Sequence, residues 1–113
     1  MPTNKVTFAH LRRVSIFGDA SPFGGVTLAM QEDGHDINIG IAVCHEHDRY
    51  VKAEGRKRAE GRLHSKSEEN AKFRARLTNV TVQEVYSALD GVHVTPYLEE
   101  ELPIILRGAG AQL

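Results

Sequence analysis

The densest group of chemically capable side chains is the run Cys44, His45, Glu46, His47 and Asp48. Thiolate, imidazole and carboxylate groups are the ligands that zinc uses in proteins. A closed zinc site usually combines spaced pairs of ligands, and along a strand Cys44 and Asp48 do not readily face the same point as His45 and His47. We interpret the run as polar residues at a strand end and helix cap, and we predict no metal or other cofactor. If a metal does bind, its candidate ligands are Cys44, His45, His47 and Asp48.

Motifs for nucleophilic or nucleotide chemistry are missing from the sequence. It contains no Gly-x-Ser-x-Gly elbow, no Walker-type phosphate loop and no Gly-x-Gly-x-x-Gly fingerprint. Cys44 ends an apolar run, where a cysteine is typically a small buried hydrophobic residue rather than a nucleophile. The sequence therefore predicts a protein that is not an enzyme.

Charge is the strongest remaining signal. Between residues 49 and 63, six basic residues stand against two acidic ones, and a second basic stripe follows at residues 72–76. Such side chains pair with carboxylate or phosphate groups. We predict as partner-binding residues Arg56, Lys57, Arg58, Arg62, Arg74 and Arg76. The C-terminal part is acidic, and Glu99, Glu100 and Glu101 could imitate phosphates toward a basic nucleic-acid channel. Charge runs also occur as solvated faces that only keep a protein soluble.

The composition narrows the classes of molecule that the protein could bind and the cellular compartment in which we expect it. The 113 residues fit one domain, and 14 basic against 15 acidic residues give no global positive field. With no tryptophan and 6% aromatic residues, phosphate contact is favoured over base stacking. The single cysteine suits a reducing compartment. No apolar run approaches a membrane span or a signal core, so we expect a cytoplasmic protein without a membrane partner.

The elements that position the candidate residues begin with a predicted antiparallel β-meander over about residues 5–44. Val6 and Phe8, then Val14 and Ile16, alternate with polar residues as strands do, and residues 18–25 contain turn formers. Two runs with a period of two flank the turn signal Asp33-Gly34, which indicates a β-hairpin. The alternating residues of these two runs are Val26, Leu28, Met30, Ile37, Ile39, Ile41 and Val43.

The period then changes to that of a helix over about residues 48–63. Val51, Gly55, Ala59 and Leu63 form a narrow stripe, with Asp48 as the predicted N-cap. Glycine is unfavourable inside a helix, so Gly55 and Gly61 suggest close approach to another backbone. This pattern predicts a basic helix packed tightly on the meander, within a single α+β domain over residues 1–113.

Three further elements follow. Alternation over residues 71–77 favours a strand with one basic face, with a short helix as the alternative. Thr81 and Glu84 form a capping box before a short helix over about residues 82–89. The remaining C-terminal part is predicted to be irregular, and residues 108–113 are predicted to fray.

One stretch, residues 40–63, resembles a known group of sequences. An apolar strand ending in Cys44 is followed by Asp48-Arg49-Tyr50 and then by Gly-Arg-x-x-Ala-x-Gly-Arg-Leu, which spans residues 55–63. This pattern resembles small uncharacterised proteins of phages and integrated elements, although residues 45–47 replace a Ser-Pro-like step and Tyr50 replaces a common Phe. The resemblance implies a stoichiometric inhibitor of a host system, including bacterial immunity, and supplies no catalytic residues.

Three functional hypotheses follow. The first is a phage-derived, non-enzymatic protein that binds a host protein or ribonucleoprotein complex, such as a CRISPR effector in a bacterial cytoplasm, and blocks it sterically and electrostatically. The second is a nucleic-acid-binding accessory protein that uses the basic helix. The third is a metal-dependent enzyme or zinc-stabilised domain built on residues 44–48.

Overall fold

The computed structural model describes residues 5–12, 21–65, 68, 73–89 and 111–112. These residues form an antiparallel five-stranded sheet with strand order β1-β2-β3-β4-β5, together with two helices. The strands are β1 (Val6–Leu11), β2 (Phe23–Asp33), β3 (Asp36–Arg49), β4 (Arg74–Thr78) and β5 (Ala111–Gln112). The helices are α1 (Lys52–His64) and α2 (Val82–Leu89). The predicted α+β class and the meander are therefore confirmed.

The predicted hairpin is present between β2 and β3. Asp33 pairs with Asp36, and Gly34 occupies the first position of the two-residue turn with a φ of 66°. Glycine tolerates this left-handed conformation because it has no Cβ. β1 adds to the outer edge of β2 with Val6 opposite Gln31 and Leu11 opposite Val26. Val14 and Ile16 lie outside the described residues.

The two faces of the sheet differ in side-chain size, because neighbouring residues along a strand point to opposite faces. One face carries the larger apolar residues, and Val85 and Leu89 of α2 join the same buried cluster. Its largest fully buried members are Leu28, Met30, Ile37, Ile39, Leu77, Val26 and Val85. The alternation in β2 and β3 therefore predicted the main core correctly.

Helix α1 packs on the other face, where the strand residues are small. Ala29 and Ala42 form a buried cluster with Ala59 of α1, and Leu63 packs against it. At Gly40, a Cβ would approach the backbone of Ala59 and Leu63 too closely for the helix to stay in place. Small residues on both sides thus let the helix lie close to the sheet, as predicted. Gly55 also marks a close approach, but to a side chain and not to a backbone as predicted, because a Cβ there would collide with the Thr27 side chain.

The start of α1 differs from the prediction. The helix begins at Lys52 rather than Asp48, and its N-cap is Val51, which has extended backbone angles, makes no side-chain cap and is 49% exposed. Asp48 instead lies in β3, because Arg49 still pairs with Phe23 across a register shift. Val51 is therefore not part of the buried stripe. Gly61 also has no close neighbour, so the predicted close approach at this residue is wrong.

The segment after α1 forms a strand, which settles the alternative left open for residues 71–77. β4 pairs with β3, and its Ala75 and Leu77 are buried, whereas Ala71 and Lys72 lie outside the described residues. The capping box of α2 is confirmed in both directions. The Thr81 N–H donates to Glu84 Oε2 at 2.7 Å, and the Glu84 N–H donates to Thr81 Oγ1 at 3.2 Å.

The C-terminal predictions are covered only in part. Ala111–Gln112 forms β5, which pairs with Leu77 and Arg76 of β4, whereas the sequence predicted fraying over residues 108–113. The rest of the C-terminal part, from residue 90 to residue 110, lies outside the described residues. Neither α1 nor α2, the two helices of the described part of the chain, is long and apolar enough to cross a membrane.

Candidate functional site

A polar cluster lies under the first half of α1, on the face of the sheet that this helix covers. Tyr50 Oη is 2.7 Å from both His10 Nδ1 and Thr27 Oγ1, and Thr27 Oγ1 is 3.3 Å from His10 Nδ1. His10 and Thr27 are cross-strand neighbours in β1 and β2, which brings them to the same face. Thr27 is fully buried, so its hydroxyl needs this partnership to offset the loss of water.

Arg56 of α1 completes the cluster and fixes the tautomer of His10. The Arg56 Nε–H donates to His10 Nε2 at 3.1 Å, so Nε2 must carry a lone pair and Nδ1 the proton. Burial, followed by the charges of Arg56, Lys52 and Arg12, lowers the pKa of His10 from its usual value of 6.5. His10 is therefore neutral at physiological pH, which suits an imidazole that accepts from a guanidinium.

Tyr50 anchors the other side of the cluster. Its N–H donates to the Pro22 carbonyl oxygen at 2.8 Å, and the guanidinium of Arg12 lies 5.0 Å from the centre of its ring. Burial raises the pKa of Tyr50, while the hydrogen bond with Thr27 acts in the opposite direction. The phenol therefore stays protonated at neutral pH and serves as a hydrogen-bonding group rather than a base.

The cations of α1 divide into different environments. Arg56 lies beside β1, with its guanidinium 5.6 Å from the centre of the Phe8 ring. Lys57 is exposed and lies away from the sheet, as its position relative to Ala59 requires. Arg58 is exposed and forms an ion pair with Glu54 one turn earlier, at 3.4 Å. Exposed pairs of this kind are weak, so Arg58 can exchange its partner at little cost.

Unlike Lys57 and Arg58, Arg62 and Arg74 bind backbone carbonyl oxygens within the fold. Arg62 Nη1 donates to the Ile41 carbonyl oxygen at 2.8 Å, and its guanidinium stacks 4.0 Å from the centre of the Phe73 ring. Arg74 Nη1 donates to the Ser65 carbonyl oxygen. Both residues are half-buried. Their guanidinium groups connect α1, β3 and β4, so their observed contacts stabilise the fold, and their partner-binding role stays a prediction.

Arg76 lies away from α1, at the end of the sheet that carries the β2–β3 turn. Its Nη2 is 2.7 Å from Asp36 Oδ2 and 3.3 Å from Asp33 Oδ2, and its Nη1 donates to Asn38 Oδ1 at 2.9 Å. The hydrogen bond with Asp36 is the main reason that the pKa of Arg76 is raised. The predicted basic stripe is therefore split, and Arg76 does not join the cations of α1.

The run at residues 44–48 forms the far end of β3. Cys44 is half-buried rather than buried, and its Sγ lies 3.5 Å from the Asp48 carbonyl oxygen. The His47 N–H donates to His45 Nδ1 at 3.1 Å, and the two imidazole rings are 5.2 Å apart. Among the described residues, no three His, Cys, Asp or Glu side chains are grouped to hold a metal ion.

A cavity of about 310 Å³ opens between this end of β3 and the first half of α1. Its lining includes Cys44, His45, Asp48, Tyr50 and Arg58. It therefore joins the Cys44 segment to the polar cluster, on the side of α1 that faces away from Arg56. The acidic candidates Glu99, Glu100 and Glu101 lie outside the described residues.

Sequence reasoning missed the polar cluster. His10 interrupts the apolar alternation of β1, and Thr27 is a polar residue inside an apolar strand, so both were detectable as exceptions. The proximity of His10 and Thr27 depends on the register between β1 and β2. A short hairpin turn would fix this register, but the segment between the two strands is long. Tyr50 was noted only as part of the phage-like pattern.

Comparisons with known proteins add no assignment to this geometry. No protein-family model, curated protein or solved structure matches the chain. The resemblance of residues 40–63 to phage proteins therefore stays a prediction.

Proposed function

We propose that this chain is a non-enzymatic, phage-derived binding protein that inhibits a host macromolecular complex, such as a CRISPR effector, by occupying one of its surfaces. The observation that carries the proposal is the set of exposed cations on α1, a helix that is packed closely on the sheet. This set, here called the α1 cations, consists of Lys52, Arg56, Lys57 and Arg58.

The close packing of α1 supports this role. Backbone-level contact at Gly40 and side-chain contact at Gly55 leave the helix little freedom to shift against the sheet. A helix fixed in this way presents its surface side chains in a constant arrangement. Binding then requires less ordering of the free protein, which favours a stoichiometric inhibitor.

The chemistry of the α1 cations fits an acidic surface on the partner. Guanidinium groups bind carboxylates and phosphates with paired hydrogen bonds, and an ammonium adds an undirected charge. Within the described part of the chain, Lys57 is exposed and forms no ion pair, and Arg58 forms one ion pair, with Glu54 on the surface. Both side chains are therefore available to a partner.

An affinity capture from bacterial lysate tests the proposal. Immobilised full-length protein is compared with a Lys57→Glu/Arg58→Glu variant and with a Lys5→Glu control, in which an exposed lysine before β1 is reversed in charge. Each capture is repeated after nuclease treatment. We expect a defined set of host proteins to bind the unmodified chain and the control at similar stoichiometry with and without nuclease. The double variant should lose most of this set.

Two results would contradict the proposal. One is the absence of any stoichiometric host protein, and the other is equal recovery by the unmodified chain and the Lys57→Glu/Arg58→Glu variant. The loss of capture is interpreted only if the circular dichroism spectrum of the variant matches that of the unmodified chain, because the loss then reports on the surface and not on the fold.

A further inference from the structure

Three cationic side chains surround the imidazole of His10. Arg56 contacts it directly, Lys52 precedes Arg56 by one helical turn on the same side of α1, and Arg12 follows β1. After burial, the largest cause, the charges of Arg56, Lys52 and Arg12 all lower the pKa of His10. Positive charge is therefore concentrated beside β1.

Arg56 is held in place without using its full hydrogen-bonding capacity. Its guanidinium lies over Phe8, and its Nε–H is engaged by His10. Neither Nη group donates to a described residue, so up to four N–H donors remain for a ligand. His10 in turn is fixed by Tyr50, which makes the whole arrangement preorganised. A ligand would meet a guanidinium whose orientation is already set.

Arg12 is held in a similar way on the other side of His10. Its Nη2 donates to the Ser21 carbonyl oxygen at 2.7 Å, and its guanidinium lies over the Tyr50 ring. His10 and Tyr50 contact each other edge to face, so one aromatic pair separates the two arginines. The buried Arg12 Nε has no hydrogen-bond partner among the described residues.

We propose that Arg12, Lys52 and Arg56 form a binding site for backbone phosphates of a nucleic acid. The site goes beyond the proposed function, because it adds a nucleic-acid contact at one flank of α1 to the protein contact proposed for Lys57 and Arg58. The paired donors of a guanidinium match the oxygens of a phosphate, and Lys52 adds a positive charge that needs no fixed direction.

A nucleic-acid strand fits this surface better than a single small anion does. Its charges repeat along the backbone, so one strand can contact the three cations of the site and continue toward Lys57 on the exposed side of α1. Stacking of bases requires exposed aromatic rings, and Phe8 and Tyr50 are both covered by arginines. Recognition should therefore rest on phosphate contacts, which depend on salt and carry no information on base sequence.

Binding of a fluorescently labelled single-stranded DNA of about 20 nucleotides, followed by anisotropy between about 50 and 200 mM salt, tests the site. The full-length protein is compared with Lys52→Gln, Arg56→Gln and Arg56→Lys variants. Lys5→Gln is the matched control, because it removes the same charge at an exposed residue before β1.

We expect Arg56→Gln to weaken binding about tenfold at low salt. Each Gln variant should also reduce the slope of log Kd against log salt by about 0.7, as the loss of one phosphate contact requires. Arg56→Lys should keep most of the slope, and Lys5→Gln should leave slope and affinity unchanged. A purely structural role for Arg56 would not change the slope.

Equal losses in Lys5→Gln and Arg56→Gln would overturn the site, because they would indicate a diffuse charge effect. Inorganic phosphate is tested as a competitor against chloride of equal ionic strength. Saturation by phosphate alone, with no DNA binding, would overturn the nucleic-acid assignment in favour of a free anion.

The two proposals fail separately. Host proteins captured through Lys57 and Arg58, combined with no DNA binding, would leave the proposed function standing and overturn this site. DNA binding with the expected slopes, combined with no captured host complex, would support the site and count against the inhibitor role.

Discussion

Gly40 lies where the backbone of α1 approaches the sheet closely, and replacing it with alanine should lift the helix. A Cβ at this position would lie 2.9 Å from the Cα of Leu63 and 2.5 Å from its N, and nearer still to the carbonyl oxygen of Ala59. Carbon atoms in contact are normally about 3.5–4.0 Å apart. All three obstacles are backbone atoms, so no rotation of a side chain can relieve the clash.

The cost follows from this geometry. Overpacking of a core typically costs about 1–3 kcal/mol. Because the helix backbone must move as a whole, and this loosens the contacts of Ala29, Ala42 and Ala59, we expect Gly40→Ala to lie near the upper end, at about 3 kcal/mol. With a urea dependence of about 2 kcal/mol per molar, the unfolding midpoint should fall by about 1.5 M.

Gly61→Ala is the matched control, since a Cβ at Gly61 would meet nothing within 4 Å. Alanine favours the helix over glycine by up to about 1 kcal/mol, so this variant should raise the midpoint. Urea unfolding followed by far-ultraviolet circular dichroism measures both. If Gly40→Ala unfolds at the same urea concentration as Gly61→Ala, the close contact between α1 and β3 is refuted.

Three further predictions concern the polar and capping groups. Thr81→Ala and Glu84→Ala should each cost about 1 kcal/mol in urea unfolding, and the double variant should cost less than their sum because each group caps the other's N–H. Tyr50→Phe should cost about 1–2 kcal/mol by leaving Thr27 and His10 short of a partner, and a cost near zero would mean that the hydroxyl is dispensable. Because the pKa of His10 is lowered in the fold, the unfolded chain takes up more protons as pH falls below 6.5. The neutral form of His10 therefore stabilises the fold above pH 6.5, and this stability is lost as the pH falls toward the pKa that His10 has in the folded chain. As the pH falls from 6.5 to that pKa, the His10→Gln variant should lose less free energy of unfolding than the unmodified chain.

The elements predicted correctly are those determined by local sequence. Asp33-Gly34 specifies a tight turn, and the flanking period of two determines which residues of β2 and β3 are buried. Thr81 and Glu84 are three residues apart and cap each other without help from the rest of the chain. These local preferences are retained in the folded chain because no contact between distant residues competes with them.

The errors arose where a distant contact decided the outcome. Asp48 is a good N-cap by type, yet β3 continues through it because Arg49 pairs with Phe23, which is far away in sequence. Gly40 looked like an ordinary strand residue, and only the approach of α1 explains it. The sequence predicts close approach to a backbone at both Gly55 and Gly61, yet only Gly55 has a close neighbour, and that neighbour is the Thr27 side chain.

In the candidate site too, contacts between distant residues determine what the sequence alone does not predict. Arg56, Arg62 and Arg76 appeared equivalent as members of basic stripes, but they differ in what they contact. Arg62 binds the Ile41 carbonyl, and Arg76 binds Asp36, whereas Arg56 rests on His10 with Nη donors to spare. The sequence predicted that these stretches are basic. The register of the sheet determined which of the arginines lie together.

The flank of α1 beside β1 is the surface proposed to contact an anionic partner. Amide NMR spectra recorded during titration with the single-stranded DNA test it most directly, because they locate the contact. The largest shifts should fall on His10, Lys52 and Arg56, with small shifts at Asp36 and Arg76. No shifts, or shifts greatest around Arg76, would contradict the claim.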